Sequence, residues 1–309
     1  MSPESKLKVL KDRASMIQKV RSFFYKKKII EVDPPILVKH PSIDLHIQSI
    51  ETHPLNKSIG YLHTSPEYTM KRIIASGLKD IYFLGHVFRK NEIGKNHNIE
   101  FSMIEWYKSN VSFDYFIKEN IALLKLFIKF KKSISTSYFD VFYKNFNLDI
   151  YKINKKELLA ICRKEEIIFS NEKNLKKEDL LSLLLDHFFE KKAKRDILYI
   201  IYDFPQNEAA LAKTQIENGS IVAKRFEFYI NGSEIANGYF ELNDEKVLRQ
   251  RFEKIIKKKK RLTLDENFLK SIDHIGSCYG IAIGFDRLMM LKHNLKEIKE
   301  VLYFSYPEL

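Results

Sequence analysis

Residues 81–107, IYFLGHVFRKNEIGKNHNIEFSMIEWY, constrain this chain more than any other segment. An apolar run from Ile81 to Phe88 ends at Arg89, a polar, glycine-containing loop occupies residues 90–97, and a second run covers residues 98–107. In that second run Ile99, Phe101, Met103 and Tyr107 alternate with Glu100, Ser102 and Ile104, which is the period of a strand. An antiparallel hairpin is expected, with an arginine, a histidine and an aromatic brought near one another. Such a hairpin can offer a guanidinium to a phosphate and an aromatic face to a base, because the planar guanidinium donates two charge-assisted hydrogen bonds at once. Taken singly, Phe101 reads as core packing and His97 as a loop hydrogen-bonder. Only their conjunction with Arg89 points to a bent nucleoside triphosphate.

Composition sets the outer bounds. A chain of 309 residues with 45% hydrophobic content can bury one large domain, or one carrying an insertion. The two cysteines, Cys162 and Cys278, are far apart in sequence and suggest neither a disulfide framework nor a zinc pattern. No signal peptide opens the chain, and apolar clusters such as residues 180–185 are too short to span a bilayer. A cytoplasmic protein with no membrane association is expected. The net charge of +13 fits either an acidic macromolecular partner, tRNA or a protein of similar charge, or a general bias of composition. The basic run at residues 257–261 reads as a solvated helix end.

The pattern F-R-x-x-E-x-G-x-x-H-N-x-E-F-x-M-x-E-W-Y, from Phe88 to Tyr107, resembles the second signature of class II aminoacyl-tRNA synthetases in its lysyl-tRNA synthetase form. Residues 22–35, closing on Pro35, resemble the first signature, which builds a dimer interface in that family. Residues 279–291, YGIAIGFDRLMML, resemble the third, carrying Arg287. Residues 64–73, TSPEYTMKRI, resemble the substrate loop of the lysine branch, and residues 226–244 its amino-acid and metal strand pair. The likeness runs from near Leu7 to the C-terminus and is weakest over residues 111–200.

The chain enters the first-signature helix near Pro3, with helical spacing of Leu7, Leu10, Ala14, Ile17, Val20 and Phe24, so no anticodon-binding barrel is expected ahead of it. A bare lysine-activating core of this kind resembles the elongation factor P lysine ligases, tRNA-independent paralogues of lysyl-tRNA synthetase. Ala282, in Gly280-Ile281-Ala282-Ile283-Gly284-Phe285-Asp286-Arg287, stands where ordinary synthetases carry glycine. One methyl on a pocket floor is worth roughly 1 to 3 kcal/mol, or about 10 to 200-fold in discrimination. That would favour β-lysine over α-lysine, as the resemblance implies; the other account of Ala282 is simple strand packing.

The resemblance implies an α+β fold, a class II synthetase catalytic core with an antiparallel sheet flanked by helices. We expect a single domain over residues 1–309, with a mainly helical insertion at about 111–200. Within it residues 113–132 and 177–191 have helical spacing, and Asn154 can cap a short helix over 154–164. Residues 199–204 and 226–230 read as strands, the latter turning at Asn231-Gly232, a strong hairpin signal. Glu234 and Glu241 lie seven residues apart, an odd spacing that would put them on opposite strand faces unless Gly238 marks a bulge.

The implied chemistry is ATP-dependent activation of a lysine carboxylate, carried by positioning and electrostatics. By resemblance Arg89 holds the α-phosphate and Arg287 the γ-phosphate as the catalytic pair. His97 assists the terminal phosphates, and Phe101 and Arg287 sandwich the adenine. Lys90, Asn91, Asn98, Glu234, Ile235 and Gly284 complete the ATP site, with Mg2+ on Glu234 and Glu241. The substrate's amines need acidic partners. Glu67, Glu100 and Glu241 are the candidates, with Ser65, Pro66, Tyr107 and Ala282 shaping the pocket. The acceptor implied is a lysine side chain of elongation factor P rather than tRNA, on a homodimer. A truncated synthetase acting on tRNA and a non-catalytic paralogue are the alternatives. One departure bears on the last: the family's adenine-contacting glutamate is Asn91 here, with Lys90 before it and Glu92 after.

Overall fold

The computed structural model describes residues 2–55, 58–169, 172–259 and 262–309. Lys260 and Arg261 of the basic run lie outside the described residues; Lys257 caps the C-terminus of a helix. The chain divides into two compact units, Met1–Ile128 with Phe240–Leu309, and Lys129–Tyr239. The first unit opens with α1 (Pro3–Lys26), β1 (Ile30–Glu31), β2 (Leu37–Val38), β3 (Ile50–Thr52), β4 (Gly60–Leu62), α2 (Glu67–Ala75), β5 (Ile81–Phe88), β6 (Glu100–Ser109) and α3 (Phe113–Leu124). The second contains β7 (Lys132–Ser137), α4 (Tyr138–Phe146), α5 (Lys155–Lys164), α6 (Lys177–His187), β8 (Ile197–Pro205), β9 (Thr214–Glu217), β10 (Ser220–Ile230) and β11 (Ser233–Phe240). The chain then returns to the first with α7 (Glu245–Ile256), α8 (Glu266–Ser271), β12 (Cys278–Gly284) and α9 (Phe285–His293). The fold class is α+β, as expected.

In the first unit the strands run in the order β1, β5, β6, β12. β1 is parallel to β5, while β5 with β6 and β6 with β12 are antiparallel. The expected hairpin forms, with Ile81 opposite Tyr107 and Phe88 opposite Glu100. Strand β6 does not alternate in burial, however: residues 102–107 are buried without a break. A central strand has both faces covered, so its exposed face disappears. On one face Met103 and Tyr107 join Met70, Ile74, Phe83 and Val87. On the other, Trp106 packs on Phe24 of α1 and stacks on Phe116 of α3, and its indole N–H donates to Asn120 at 2.9 Å. Helix α3 stops at Leu124 rather than near Lys132, because the chain tightens into i to i+3 turns at Leu126 and Phe127 before β7 begins.

In the second unit the order is β11, β10, β8, β7, with β9 paired to β10. Its core gathers Tyr138, Phe142, Leu158, Leu184, Phe189 and Tyr229. Asn154 caps α5 in a reciprocal box with Glu157. The hairpin at Asn231-Gly232 forms with positive φ at both residues. The bulge sits elsewhere than expected: Phe228 pairs with Ala236 and Tyr229 with Glu234, which leaves Ile235 as the extra residue. Gly238 pairs in register with Phe226. The irregularity falls beside the tight turn, where a bulge's added twist is accommodated, rather than mid-strand.

Candidate active site

Helix α2 starts at Glu67, directly after Pro66, and its first turn favours a carboxylate because backbone N–H groups point that way. Ser65 Oγ accepts from the Glu67 N–H at 3.1 Å. One turn on, Lys71 lies on the same helix face as Glu67. It is fully buried, with Nζ 2.6 Å from Glu67 Oε1 and 2.6 Å from Glu241 Oε2. Glu241 is itself buried and anchored by its backbone N–H, which donates to the Cys278 carbonyl at 2.9 Å.

Strand β6 supplies the facing wall. Glu105 and Tyr107 are two residues apart, hence on one face, and the Tyr107 hydroxyl donates to Glu105 Oε1 at 2.8 Å. Glu105 Oε2 is buried without a hydrogen-bond partner. Burial, reinforced by nearby Glu67, pushes the Glu105 carboxyl up to about 8, against the opposing pull of Tyr107, Ser65 and Lys71. Burial likewise raises Glu241, which Lys71 partly offsets. Burial works against the Lys71 ammonium, yet Glu241 and Glu67 outweigh it and hold the group above its ordinary value.

Strand β12 closes the pocket. Gly280 stands opposite Tyr107 and Ala282 opposite Glu105, so both lie on the pocket face of the sheet. A Cβ at Gly280 would overlap Glu241 Oε1 and the Tyr107 ring, which is why that position is glycine. Ala282 is the cross-strand partner of Glu105.

At the loop end of the hairpin, the Arg89 guanidinium lies over the Phe101 ring at 5.0 Å, and Arg89 is 3.6 Å from Glu92. Arg89 Nε is buried with no partner, a donor awaiting an acceptor. His97 Nε2 is 2.7 Å from Arg287 Nη2, and Gly284 opens the helix α9 that carries Arg287. Burial first, and Arg287 second, lower His97 below its ordinary value, so its neutral ring accepts from the guanidinium. The Lys90 N–H donates to the Gln48 carbonyl at 2.8 Å. Asn91 has φ of 63°, in the left-handed region that asparagine tolerates. Asn98 is buried, donating to the Glu100 carbonyl at 2.7 Å and accepting from the Tyr306 N–H at 3.2 Å.

Arg13 of α1 ties β6 to α9. It donates to Asp286 Oδ1 and, at 2.6 Å, to Ser102 Oγ, while Asp286 Oδ2 accepts from the Ser102 N–H at 2.7 Å. Ser102 adjoins Phe101 and Asp286 adjoins Arg287.

The structure thus gathers Ser65, Glu67, Tyr107 and Glu241 in one cluster with Lys71 and Glu105, with Ala282 the cross-strand neighbour of Glu105 and Pro66 preceding Glu67, and it brings Arg89, His97, Phe101 and Arg287 together at the hairpin end. Glu100 is not with them: it is half-exposed, 2.8 Å from His86, on the face of β6 opposite Glu105 and Tyr107. Glu234 and Ile235 lie at the β10–β11 hairpin of the second unit. Glu241 is held by Lys71 instead of standing open to a metal. Among the described residues no group of three or more His, Cys, Asp or Glu is placed to hold a metal ion. Lys71, Glu105, Arg13 and Asp286 were missed from sequence. Strand parity with Tyr107 marks Glu105, and the i, i+4 spacing from Glu67 marks Lys71; nothing local marks Arg13.

The family model described as tRNA synthetases class II (D, K and N) matches residues 1–307. The elongation factor P–(R)-β-lysine ligase of Hamiltonella defensa is 35% identical over 98% of this chain and 96% of its own length. The enzyme of that name from Buchnera aphidicola is 37% identical over 94% of this chain and 93% of its own. That from Haemophilus influenzae is 35% identical over 98% and 96%. The chain therefore belongs to the class II tRNA synthetase family and, within it, to the elongation factor P–(R)-β-lysine ligases.

Proposed function

We propose that this chain is an AMP-forming ligase that uses ATP to activate (R)-β-lysine and transfers it to a lysine side chain of elongation factor P. The observation that carries this reading is the cluster of Glu67, Glu105 and Glu241 around the single ammonium of Lys71, acidic enough to take a substrate with two more. A long cationic side chain binds in a buried site only where each ammonium finds an acceptor. The unpartnered Oε2 of Glu105 is such an acceptor.

In the activation step the substrate carboxylate attacks the α-phosphorus and pyrophosphate leaves. Arg89 neutralises charge at the α-phosphate, its buried Nε supplying a donor without a competing partner. Arg287 and His97 hold the terminal phosphates as one hydrogen-bonded unit. Phe101 takes the adenine, displacing the Arg89 guanidinium that covers its face. Magnesium, held through phosphate oxygens and water, would neutralise the departing pyrophosphate. Glu241 suits such a metal poorly, since Lys71 already holds its oxygen.

In the second step a neutral acceptor amine attacks the activated carbonyl, AMP leaves, and an amide forms. No acyl-enzyme is required, so the machinery needs no nucleophile. The Ala282 methyl on the pocket floor selects against a substituent at the α-carbon and favours the β-amino isomer. A homodimer in the cytoplasm completes the reading, with elongation factor P rather than tRNA as acceptor.

The test supplies ATP with (R)-β-lysine or α-lysine, then elongation factor P or tRNA, and follows pyrophosphate release and the mass of each acceptor. Mass gain by elongation factor P, larger with (R)-β-lysine, is expected. Acylation of tRNA but not of the protein, or no adenylate with either lysine, would overturn it.

A further inference from the structure

The chemistry above gives Lys71 no role in the reaction, and yet among the described residues it is the one cation paired with the carboxylates of the amine cluster. Its side chain is fully buried, it reaches two carboxylates at 2.6 Å each, and those carboxylates come from α2 and from the segment after β11. Burying a lysine costs far more than an apolar residue of similar volume would unless it is paired on all sides. A position that needed only to be filled would hold methionine or leucine.

Counting charges shows what the ammonium changes. Three carboxylates without it would present three acidic positions to the two ammonium groups of a lysine, and the substrate could seat in more than one register. With Lys71 hydrogen-bonded to Glu67 and ion-paired with Glu241, the ammonium holds part of both carboxylates, and the buried acceptors left without a hydrogen bond are Glu105 Oε2 and Glu241 Oε2. We propose that Lys71 is a specificity-determining residue, an internal ammonium that occupies one cation position of the pocket and so restricts the substrate to a single register and a single spacing of its two amines. Specificity here comes from blocking wrong arrangements as much as from contacts to the right one. This rests on the assignment of Glu67 and Glu241 to the substrate's amines.

The experiment uses the full chain with Lys71→Met, which keeps volume without charge, and Lys71→Ala, which leaves room for a small amine. Pyrophosphate exchange is measured with (R)-β-lysine, α-lysine and ornithine, and the KM for ATP is measured alongside. Lys71→Met is expected to lose at least tenfold in kcat/KM for (R)-β-lysine, to discriminate among the three amino acids several-fold less sharply, and to keep its KM for ATP within twofold. Methylammonium is expected to restore Lys71→Ala at least tenfold, and tetramethylammonium, which cannot donate a hydrogen bond, is expected not to. Thermal melts of each variant separate these effects from loss of folding. Undiminished discrimination in a folded Lys71→Met protein, or equal rescue by the two cations, would overturn the proposal. Glu67→Gln and Glu241→Gln keep the two readings apart: if they raise the KM for lysine while the Lys71 variants do not, only the role of Lys71 falls, and if they leave it unchanged the amine pocket falls with it.

Discussion

At Glu105 one carboxyl oxygen is bonded to Tyr107, the other is bonded to nothing, and the group is buried at the centre of a sheet. Folding raises it from 4.5 to about 8, so at pH 7 the free protein holds it protonated. Two consequences follow from linkage. The unfolded chain releases this proton near pH 4.5 and the folded one near 8, so the free enzyme is expected to lose stability as pH rises through that interval, and Glu105→Gln to flatten the loss in melts taken at stepped pH. A substrate ammonium beside the carboxyl reverses the preference, so binding lysine at pH 7 should release a proton. Calorimetry in two buffers of different ionisation enthalpy reads that directly, with Glu105→Gln as the control; no buffer dependence in the wild type would sink the assignment. Gly280 supplies a second residue-scale expectation. Gly280→Ala drives a methyl into Glu241 and Tyr107, and should raise the KM for lysine by at least tenfold while leaving that for ATP within about twofold.

At the scale of elements, strand β6 carries most of what the two ends of the site share. Its outer half holds Phe101 and Ser102 and its inner half Glu105 and Tyr107, so in the proposed site one backbone would space nucleotide and amine. The hairpin was legible because Ile81 to Phe88 and the run after His97 are both apolar with a polar loop between. The burial of both faces was not, since the α1 and α3 side chains that cover Trp106 come from distant sequence. The same limit hid Arg13. Its partners Ser102 and Asp286 lie 89 and 273 residues away, so no local pattern could report the link. Strand parity with Tyr107 marks Glu105, whereas motif position alone points to Glu100, which sits on the other face. The odd spacing of two glutamates calls for a bulge, but its site at Ile235 falls beside the tight turn at Asn231-Gly232. Because Arg13 fixes Phe101 and Arg287 relative to each other, Arg13→Lys, which cannot donate to both partners in a planar fork, should raise the KM for ATP about tenfold and leave that for lysine nearly unchanged. Equal changes in both constants would make the link a fold contact only.

For the whole molecule, the net charge of +13 admits a kinetic test that separates a partner from a bias of composition. Adenylate formation involves small ligands held at buried groups, where salt screens weakly. Transfer requires a macromolecule to find the enzyme, and a surface field of one sign speeds that encounter in a way that falls steeply with ionic strength. If the charge serves the partner, raising salt from roughly 50 to 300 mM should cut kcat/KM for elongation factor P by about tenfold, chiefly through KM, while pyrophosphate exchange with lysine and ATP changes by less than about twofold. Reversing lysines on one face at a time, away from both ends of the site, should then identify a single face whose loss removes the salt dependence. If both half-reactions respond alike, or if every face contributes equally, the lysines are dispersed composition and recognition of the acceptor depends on short-range contacts around the pocket mouth. The two cases differ in what limits turnover. In the first, association is fast and the acceptor is committed before chemistry, whereas in the second the adenylate must wait in a site that excludes water, and its hydrolysis, read as AMP release without acceptor, would rise as the acceptor is diluted.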